Sequence, residues 1–430
     1  MTLQKKSNLV PIFILGVLFF IFGFVTWLNG TLIQYLKIAC ELNTFQSLLV
    51  AFAFYISYFV MALPSSWALQ KTGFKKGMML GLFVMAGGAL LFIPAANTRT
   101  YELFLLGLFV IGTGLSILQT ASNPYITIVG PIESAAARIS AMGICNKAAG
   151  VLAPIILGAI VLSDADVLVK ALLQLDEAQK ISKLDELALR VVLPYSLMAG
   201  VLIVLALMIY FSPLPEIEAE QEDVAPSLKE EGKANVFQFP NLVLGVIALF
   251  LYVGVEVLAG DTIGTYGQSQ GILLSETKNF TAYTLTAMVI GYIIGILTIP
   301  KLISQSKALA VSAITGIIFS IAAISTHGYV SVLFIALLGL ANALMWPAIW
   351  PLAIHGLGKF TKTGSALLIM AIAGGALLPL LYGRLADIPF IGHQQAYWIM
   401  FPCYFFILYY SIKGYKKVPT LKGEKKMAEG

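Results

Sequence analysis

The chain has 430 residues, of which 59% are hydrophobic and 11% are charged, and its mean hydropathy is +0.88. This is more apolar surface than a soluble core can bury, so the composition excludes a water-soluble protein and indicates an integral membrane protein. A net charge of +5 and three widely separated cysteines indicate neither a nucleic-acid partner nor a disulfide or metal framework.

Twelve apolar segments are long enough to cross a membrane as helices, because about 20 residues span roughly 30 Å of hydrocarbon. The first segment lacks a small-residue cleavage site and continues past Asn29 to Lys37, which predicts that it is retained as span 1. The predicted spans 1 to 12 cover residues 9–37, 44–70, 77–96, 101–129, 138–162, 188–212, 238–260, 280–304, 307–326, 328–356, 362–386 and 393–414.

The charged segments between the spans predict the domain organisation and the orientation. Residues 213–237 form an acidic linker between an N-terminal six-helix bundle (1–212) and a C-terminal six-helix bundle (238–414), and a basic tail follows at 415–430. Eighteen of the 27 Lys and Arg residues fall on one side, which predicts that both termini are cytoplasmic, in a bacterial inner membrane. Residues 163–187 have helical periodicity and are predicted to lie outside, without an assigned role.

The two predicted bundles carry weak traces of an internal repeat. A shift of 231 residues places Gly23 on Gly254, which pairs span 1 with span 7. A shift of 227 places Gly112 on Gly339, which pairs span 4 with span 10. Both shifts pair spans that are six apart, the arrangement of parallel repeats whose two halves rock about a central site.

Several stretches resemble the fucose, glucose and galactose cation symporters of the major facilitator superfamily, and the likeness covers essentially the whole chain. The stretches are FGFVTWLNGTLIQYLK in span 1, GLSILQTASNPYITIVGP in span 4, NKAAGVLAPIILG in span 5, YVGVEV in span 7 and GLANALMWPAIWPLAIHGLGKFTKTGSALLIMAIAGGALLPLLYGRLAD across spans 10 and 11. The resemblance implies an all-α membrane protein of the major facilitator fold, with twelve helices in two pseudo-symmetric bundles. It also implies a sugar transporter of the glucose and galactose type.

Acidic side chains inside the membrane are costly, so they are candidates for function. Glu256 lies in the middle of span 7 and Asp261 lies near its outer end, and we predict that they take part in cation coupling. A buried carboxylate can instead be neutralised by a fixed partner, and Lys147, which follows Asn146 in span 5, is available for that. A pair between Glu256 and Lys147 is therefore a hypothesis, and both side chains are also candidates for sugar binding.

One position departs from the pattern that the resemblance implies. Proton-coupled members of this family commonly carry an acid directly after the Asn of the LN pair, where this chain has Gly30. Gln119, at a second functional position, matches the glucose and galactose branch. Either span 7 handles the coupling ion, or the protein is a uniporter. A sodium ion is an alternative to a proton, since Asn29, Thr31 and Glu256 offer hard oxygen ligands.

Sugar recognition needs amides that match hydroxyl groups and an aromatic face for the ring. Asn123 precedes Pro124, so a structural role at a helix kink is an alternative for it. Trp346 and Trp350 could instead face lipid. The predicted substrate-binding residues are Asn29, Gln34, Gln119, Asn123, Asn146, Lys147, Glu256, Asn342 and Trp346.

We therefore predict a secondary active transporter that moves a neutral hexose such as glucose, galactose or mannose with H+ or Na+, works as a monomer in lipid and needs no cofactor. Fucose and an N-acetylated hexosamine are alternative substrates. The alternatives are a sugar uniporter and, in another class, a membrane sugar sensor, which would need a sizeable output domain. The sequence shows no phosphate-binding glycine loop and no catalytic triad, so neither ATP-driven transport nor an enzyme is predicted.

Overall fold

The computed structural model describes residues 9–128, 135–212, 214, 235–299, 302–357 and 360–416, and helices make up most of this part. The predicted linker and tail fall largely outside the described residues. Eleven helical segments of the described part are long and apolar enough to cross a membrane. The twelfth predicted span is built from three shorter helices that follow one another: Gly392–Ala396, Tyr397–Ile399 and Met400–Ile412.

The first six spans lie close to their predicted positions. Spans 2 and 3 share the helix Leu49–Leu90, which is interrupted by non-helical backbone at Gly73. The helices are Leu9–Trp27 and Asn29–Ala39 (span 1), Thr44–Ser47, Leu49–Leu90 and Phe92–Thr98 (spans 2 and 3), Tyr101–Ile128 (span 4), Ala135–Val161 (span 5), Ala165–Leu172 and Glu177–Leu189 (the loop between spans 5 and 6), and Val192–Phe211 (span 6). We call the loop between spans 5 and 6 the distal loop, because it lies at the end of the bundle opposite to Leu9.

The second six spans repeat this order. The short helix Val236–Gln238 precedes span 7 and Gly414–Lys416 follows span 12. The other helices are Pro240–Asp261 and Ile263–Ser269 (span 7), Leu274–Thr277, Phe280–Thr298 (span 8), Gln305–Ser325 (span 9), Gly328–Asn342 and Met345–Ile354 (span 10), and Thr361–Met370, Ala371–Ala373 and Gly374–Ala386 (span 11).

Spans 1, 7 and 10 are each divided into two helices, and each division lies beside a polar candidate residue. The breaks follow Trp27, Asp261 and Asn342. Leu28, Thr262 and Ala343, at these divisions, keep right-handed helical backbone angles, so the spans are not unwound there. The candidate side chains beside the divisions, Asn29, Asp261 and Asn342, are buried within the bundle.

The glycines that are matched by the internal repeat make equivalent helix contacts in the two halves. A Cβ added at Gly23 would overlap the span 5 backbone, and one at Gly254 would overlap Leu378 of span 11. A Cβ at Gly112 would overlap the span 2 backbone, and one at Gly339 the span 8 backbone. Each contact in the first half thus recurs between the spans six positions later, as expected for parallel repeats.

The two halves close against each other at one end of the bundle. We call it the distal end, because it lies opposite to Leu9 and Lys416, the first and last described residues. Asp387, at the end of span 11, accepts hydrogen bonds from the backbone N–H groups of Thr44 (3.1 Å) and Phe45 (2.7 Å). Asp387 therefore bonds the other half of the protein, and no described ion pair joins it to its neighbour Arg384.

A second group of contacts seals the same end beside span 1. Gln34 Oε1 accepts hydrogen bonds from Gln268 Nε2 (2.9 Å) and Thr277 Oγ1 (3.2 Å). Lys278 Nζ donates to the Leu162 carbonyl at 2.8 Å. Two further bonds between the halves, from Thr31 Oγ1 to the Lys278 carbonyl and from Gln34 Nε2 to the Thr277 carbonyl, lie at the same end. The distal end is therefore closed, and we call this structure the distal-closed conformation.

The distal loop, to which no role was assigned from sequence, belongs to this closure. The Tyr35 hydroxyl donates to the Leu187 and Ala188 carbonyls at 2.8 and 2.9 Å, which anchors the loop on span 1. Asp166 accepts a hydrogen bond from the Ser275 backbone N–H at 3.3 Å. Hydrogen bonding by the Ser275 side chain, and to a smaller extent by this backbone group, holds the pKa of Asp166 below its usual value. The loop therefore bridges to the second half.

Replacing Asp387 is expected to weaken the distal closure. In Asp387→Asn one of the two backbone N–H groups loses its acceptor, and a hydrogen bond to a charged group contributes about 1.5 kcal/mol or more. The closed population should therefore fall roughly tenfold relative to the open one. The measurement is the fraction of a Gln34→Cys/Gln268→Cys protein, free of native cysteines, that a short bifunctional maleimide cross-links.

The matched control is Glu276→Gln, an acid at the same end that accepts a hydrogen bond from Tyr329 of its own half at 2.7 Å. It should leave the cross-linked fraction unchanged. Equal cross-linking in Asp387→Asn and in the control would show that Asp387 does not hold the two halves together.

Candidate functional site

An ion pair joins the two halves in the interior of the protein. Lys147 Nζ of span 5 lies 2.7 Å from Glu256 Oε1 of span 7. Their side chains are only 11% and 9% exposed. Two charges at this depth are costly to desolvate, and removing one partner would leave the other uncompensated. The structure therefore has the pairing of Glu256 with Lys147 that the sequence suggested as a hypothesis.

Trp27 forms a surface beneath this pair. Lys147 Nζ lies 4.6 Å from the centroid of its ring, within the range of a cation–π interaction. The ring is 2% exposed and is held between Gly150 and Gly260, because an added Cβ at either glycine would overlap it. Both halves therefore contribute a glycine to the slot that fixes the indole against Lys147.

Aromatic side chains and an amide surround Glu256 on the side of the second half. Tyr252, one helical turn before Glu256, interacts electrostatically with its carboxylate. The Tyr252 ring lies 6.5 Å from Trp346, which stacks on Trp350 at 5.4 Å. Both indoles are half-buried and pack against the core. An apolar ring face next to a charged group is a suitable surface for a sugar.

Asn342 adds a free donor to this wall. Its Oδ1 accepts a hydrogen bond from the Tyr404 hydroxyl at 3.0 Å. Its Nδ2 is buried and has no hydrogen-bond partner within the described part of the chain. A buried donor without a partner is costly, so such a group is suited to a ligand hydroxyl.

The first half contributes amides from spans 4 and 5. Gln119 Nε2 donates to the Tyr58 hydroxyl of span 2 at 3.1 Å. Asn146 Nδ2 donates to the Phe19 carbonyl of span 1 at 3.3 Å. Asn123 lies on the same helix as Gln119, but its side chain is outside the described part of the structure. Within the described part of the chain, no hydrogen bond occupies the amide oxygen of Gln119, which leaves it available to a ligand.

Span 1 divides its polar side chains between the interior and the distal closure. Asn29 is 1% exposed, and its Nδ2 has no partner among the described residues. Thr31 donates to the Lys278 carbonyl at 3.3 Å, and Gln34 belongs to the distal contacts described above. Gly30 packs against Thr281 of span 8, since an added Cβ would overlap the Thr281 hydroxyl. In this conformation the position has no room for an acidic side chain.

Asp261 is the second acid of span 7, and its surroundings differ from those of Glu256. It is fully buried, and neither carboxyl oxygen has a hydrogen-bond partner within the described residues. Tyr55 of span 2 packs with Val257, four residues before Asp261, against Gly375 of span 11, and its buried hydroxyl is also without a partner among the described residues. The two predicted coupling residues thus form one paired and one unpaired carboxyl group.

Sequence reasoning missed the aromatic residues of this region. No sequence pattern marked them as functional, because aromatic side chains are common in membrane helices. These residues are Trp27, Tyr55, Tyr58 and Tyr252. Tyr252 could have been found from its spacing, since it lies four residues before Glu256 on the same helix face.

Comparisons with known proteins agree with this architecture. A family model described as the Major Facilitator Superfamily matches residues 15–379. A glucose/galactose transporter of Brucella abortus is 38% identical over 419 residues, which cover 96% of each chain. The L-fucose-proton symporter of Escherichia coli K12 is 30% identical over 398 residues, covering 89% of this chain and 88% of that protein.

A solved structure is similar along the same length. The crystal structure of a major facilitator superfamily transporter, FucP, in the outward conformation matches with a TM-score of 0.72 and 27% sequence identity. The match covers 96% of this chain and 100% of that chain. The similarity to these proteins therefore extends over both halves.

Proposed function

The chain belongs to the Major Facilitator Superfamily, and on that premise we propose that it takes up a neutral hexose together with a proton by alternating access. It is a multi-pass membrane transporter of this superfamily and not an enzyme. The substrate is a hexose of the glucose and galactose type, in line with the names of the more similar relatives, and we include mannose in the same class. Proton coupling is supported by the fucose-proton symporter relative.

The observation that carries this proposal is the buried pair of Lys147 and Glu256 across the two halves. In a rocking transporter, the substrate binds where the halves meet at mid-membrane. The proposal is supported by the Trp27 ring beside Lys147, by the Trp346 ring near Tyr252, and by Asn342 Nδ2, which has no partner among the described residues. We assign to the same site the Gln119 amide, whose Nε2 donates to Tyr58. Charged hydrogen-bonding groups and aromatic faces together match the two sides of a pyranose ring.

The arrangement in the membrane follows from the charge distribution. We place both termini in the cytoplasm of a bacterium, so that the distal end faces outward and the present structure is closed to the outside. Residues 1–212 and 238–414 act as the two rocking bundles, joined by the linker 213–237 and followed by the tail 415–430. A monomer in lipid is sufficient for this mechanism.

Sugar recognition by Gln119 is tested by removing its amide. Gln119→Leu should raise the KM for the transported sugar about 10- to 100-fold, because a lost sugar hydrogen bond leaves polar groups unpaired at a cost of roughly 1–3 kcal/mol. Initial uptake rates at varied sugar concentrations provide the measurement. Thr120→Val is the matched control, since Thr120 donates within its own helix to Ser116 at 2.7 Å. An unchanged KM in Gln119→Leu would remove Gln119 from the site.

The proposed function is tested by uptake into liposomes that contain the purified protein. Labelled glucose, galactose, mannose, fucose and N-acetylglucosamine are offered under a proton gradient or a sodium gradient. We expect at least one neutral hexose to accumulate above the outside concentration under the proton gradient alone. Accumulation under sodium alone would identify a different coupling ion, and equilibration without either gradient would identify a uniporter.

A further inference from the structure

We propose that the coupling proton is carried by Asp261, beside Tyr55, and that the Lys147 and Glu256 pair stays charged and serves sugar binding. This inference rests on the proposed symport and assigns its ion to one of two acids. It adds Tyr55 of span 2 as a partner of the proton site.

The first argument is the difference in pairing between the two acids. Glu256 has a cationic partner at 2.7 Å, so its negative charge is balanced in this conformation. Asp261 is 0% exposed and both of its oxygens lack partners in the described part of the chain. An ionised carboxylate buried without a partner costs many kcal/mol, and a bound proton removes that cost. Of the two acids, Asp261 is therefore the one that a bound proton stabilises in this conformation.

The second argument concerns the groups that face Asp261. Two ionisable groups lie in its surroundings: Glu256, five residues earlier on the same helix, and Tyr55 of span 2, whose ring packs with Val257 against Gly375 of span 11. The neighbours of Asp261 on its own helix contact neutral groups of spans 1, 8 and 12. Trp27 contacts Gly260, Thr281 donates to the Gly260 carbonyl at 2.8 Å, and Thr262 bonds the Tyr397 hydroxyl at 2.7 Å. No described cation therefore balances Asp261.

The third argument favours a proton over a metal cation at this place. A sodium ion needs several oxygen ligands, whereas the unpartnered groups in this region include the Tyr55 hydroxyl and the Asn29 amide nitrogen. Both can donate hydrogen bonds to a carboxylate, and an amide nitrogen cannot bind a cation. These donors can stabilise Asp261 in the state in which the proton has left.

These features couple protonation of Asp261 to closure of the distal end. In the distal-open state, separation of Gly30 from Thr281 exposes Asp261 to water, where it can exchange a proton. Closure buries the group as it is seen here, and a cost of several kcal/mol for an ionised acid would reduce the closed population by more than about 1,000-fold. The distal end therefore closes on the protonated form, and the proton crosses with the sugar that Lys147 and Glu256 hold.

The test compares accumulation with exchange in Asp261→Asn. In liposomes, this variant should lose accumulation driven by a proton gradient, while exchange of labelled for unlabelled sugar at equal pH falls no more than about threefold. Glu276→Gln, an acid on the distal surface, is the control and should keep both. If the wild-type protein shows no proton-driven accumulation, the proposed symport fails. If the wild-type protein accumulates sugar and Asp261→Asn does so equally, only the assignment to Asp261 is overturned.

Two further measurements test the proposal if Asp261→Asn does not fold. Tyr55→Phe should keep exchange and raise the pH at which proton-driven uptake is half-maximal by about one unit, because the ionised form of Asp261 loses a donor available to it when the proton leaves, so that Asp261 keeps its proton to a higher pH. In the wild-type protein, dicyclohexylcarbodiimide, which modifies protonated carboxyl groups in apolar surroundings, should label Asp261 and not Glu256, as located by mass spectrometry. Label on Glu256 with Asp261 unmodified would overturn the proposal.

Discussion

Glu256→Gln is expected to abolish sugar transport and to destabilise the protein, which is the largest effect that the structure predicts. The change leaves the Lys147 ammonium buried without a counter-charge, and breaking a buried pair in this way costs about 3–5 kcal/mol. Sugar binding should weaken at least about 100-fold, since charged hydrogen bonds to hydroxyl groups contribute roughly 1.5–3 kcal/mol each. The measurements are the thermal unfolding temperature in detergent and the equilibrium binding of labelled sugar.

The double variant Lys147→Met/Glu256→Gln separates stability from binding. Removing both charges should return the stability to within about 2 kcal/mol of the wild type, because no lone charge is left in the interior. Sugar binding should not return. Glu186→Gln is the matched control, since Glu186 pairs with Lys183 at 2.6 Å on the exposed distal loop, where an ion pair contributes at most about 1 kcal/mol. A Glu256→Gln protein as stable as this control would contradict the account of the pair.

Gly30→Asp is expected to stop transport, although it introduces an acid at the position where proton-coupled relatives are expected to have one. In the distal-closed state the new side chain would overlap the Thr281 hydroxyl. Overpacking of this kind costs about 1–3 kcal/mol, which lowers the closed population roughly 10- to 100-fold. Gly30→Ala should show the same defect in milder form. Initial uptake rates and the cross-linking of Gln34→Cys/Gln268→Cys measure the effect.

Two further variants are the controls for this prediction. Gly87→Ala should have no effect on transport, because nothing lies within 4 Å of a Cβ added there. Gly30→Ala/Thr281→Ala should recover part of the rate lost in Gly30→Ala, since the overlapping hydroxyl is removed. Faster or more tightly coupled uptake in Gly30→Asp would show that the position still accepts an acid and that closure at Thr281 does not limit transport.

Composition and motifs were enough to predict the family and the fold. Apolar segments of membrane-spanning length and the motif stretches indicated a major facilitator transporter, and the family match and the helical structure confirmed this. The weak repeat between Gly23 and Gly254 gained physical meaning only from the structure, where both glycines permit close contacts between equivalent spans.

The site was less accessible from sequence because helical spacing gives the face of a side chain but not its partner in another helix. The scarcity of intramembrane charges suggested the pairing of Glu256 with Lys147, and their distance matches that hypothesis. Gln34 was a further candidate for sugar binding, and in the structure it bonds Gln268 and Thr277 in the distal closure. The roles of Tyr55 and Trp27 depend on contacts between spans that no local pattern encodes.

The central claim, that one site couples a hexose to a proton, is tested most directly by sugar-driven proton flux. Purified protein is placed in liposomes that contain a pH-sensitive dye, with equal pH on both sides, and the transported hexose is added outside. The account predicts that the lumen becomes acidic as the sugar enters, at a rate that saturates with sugar concentration. Entry of the sugar without any change in the luminal pH would contradict it and would identify the protein as a uniporter or as a carrier of another ion.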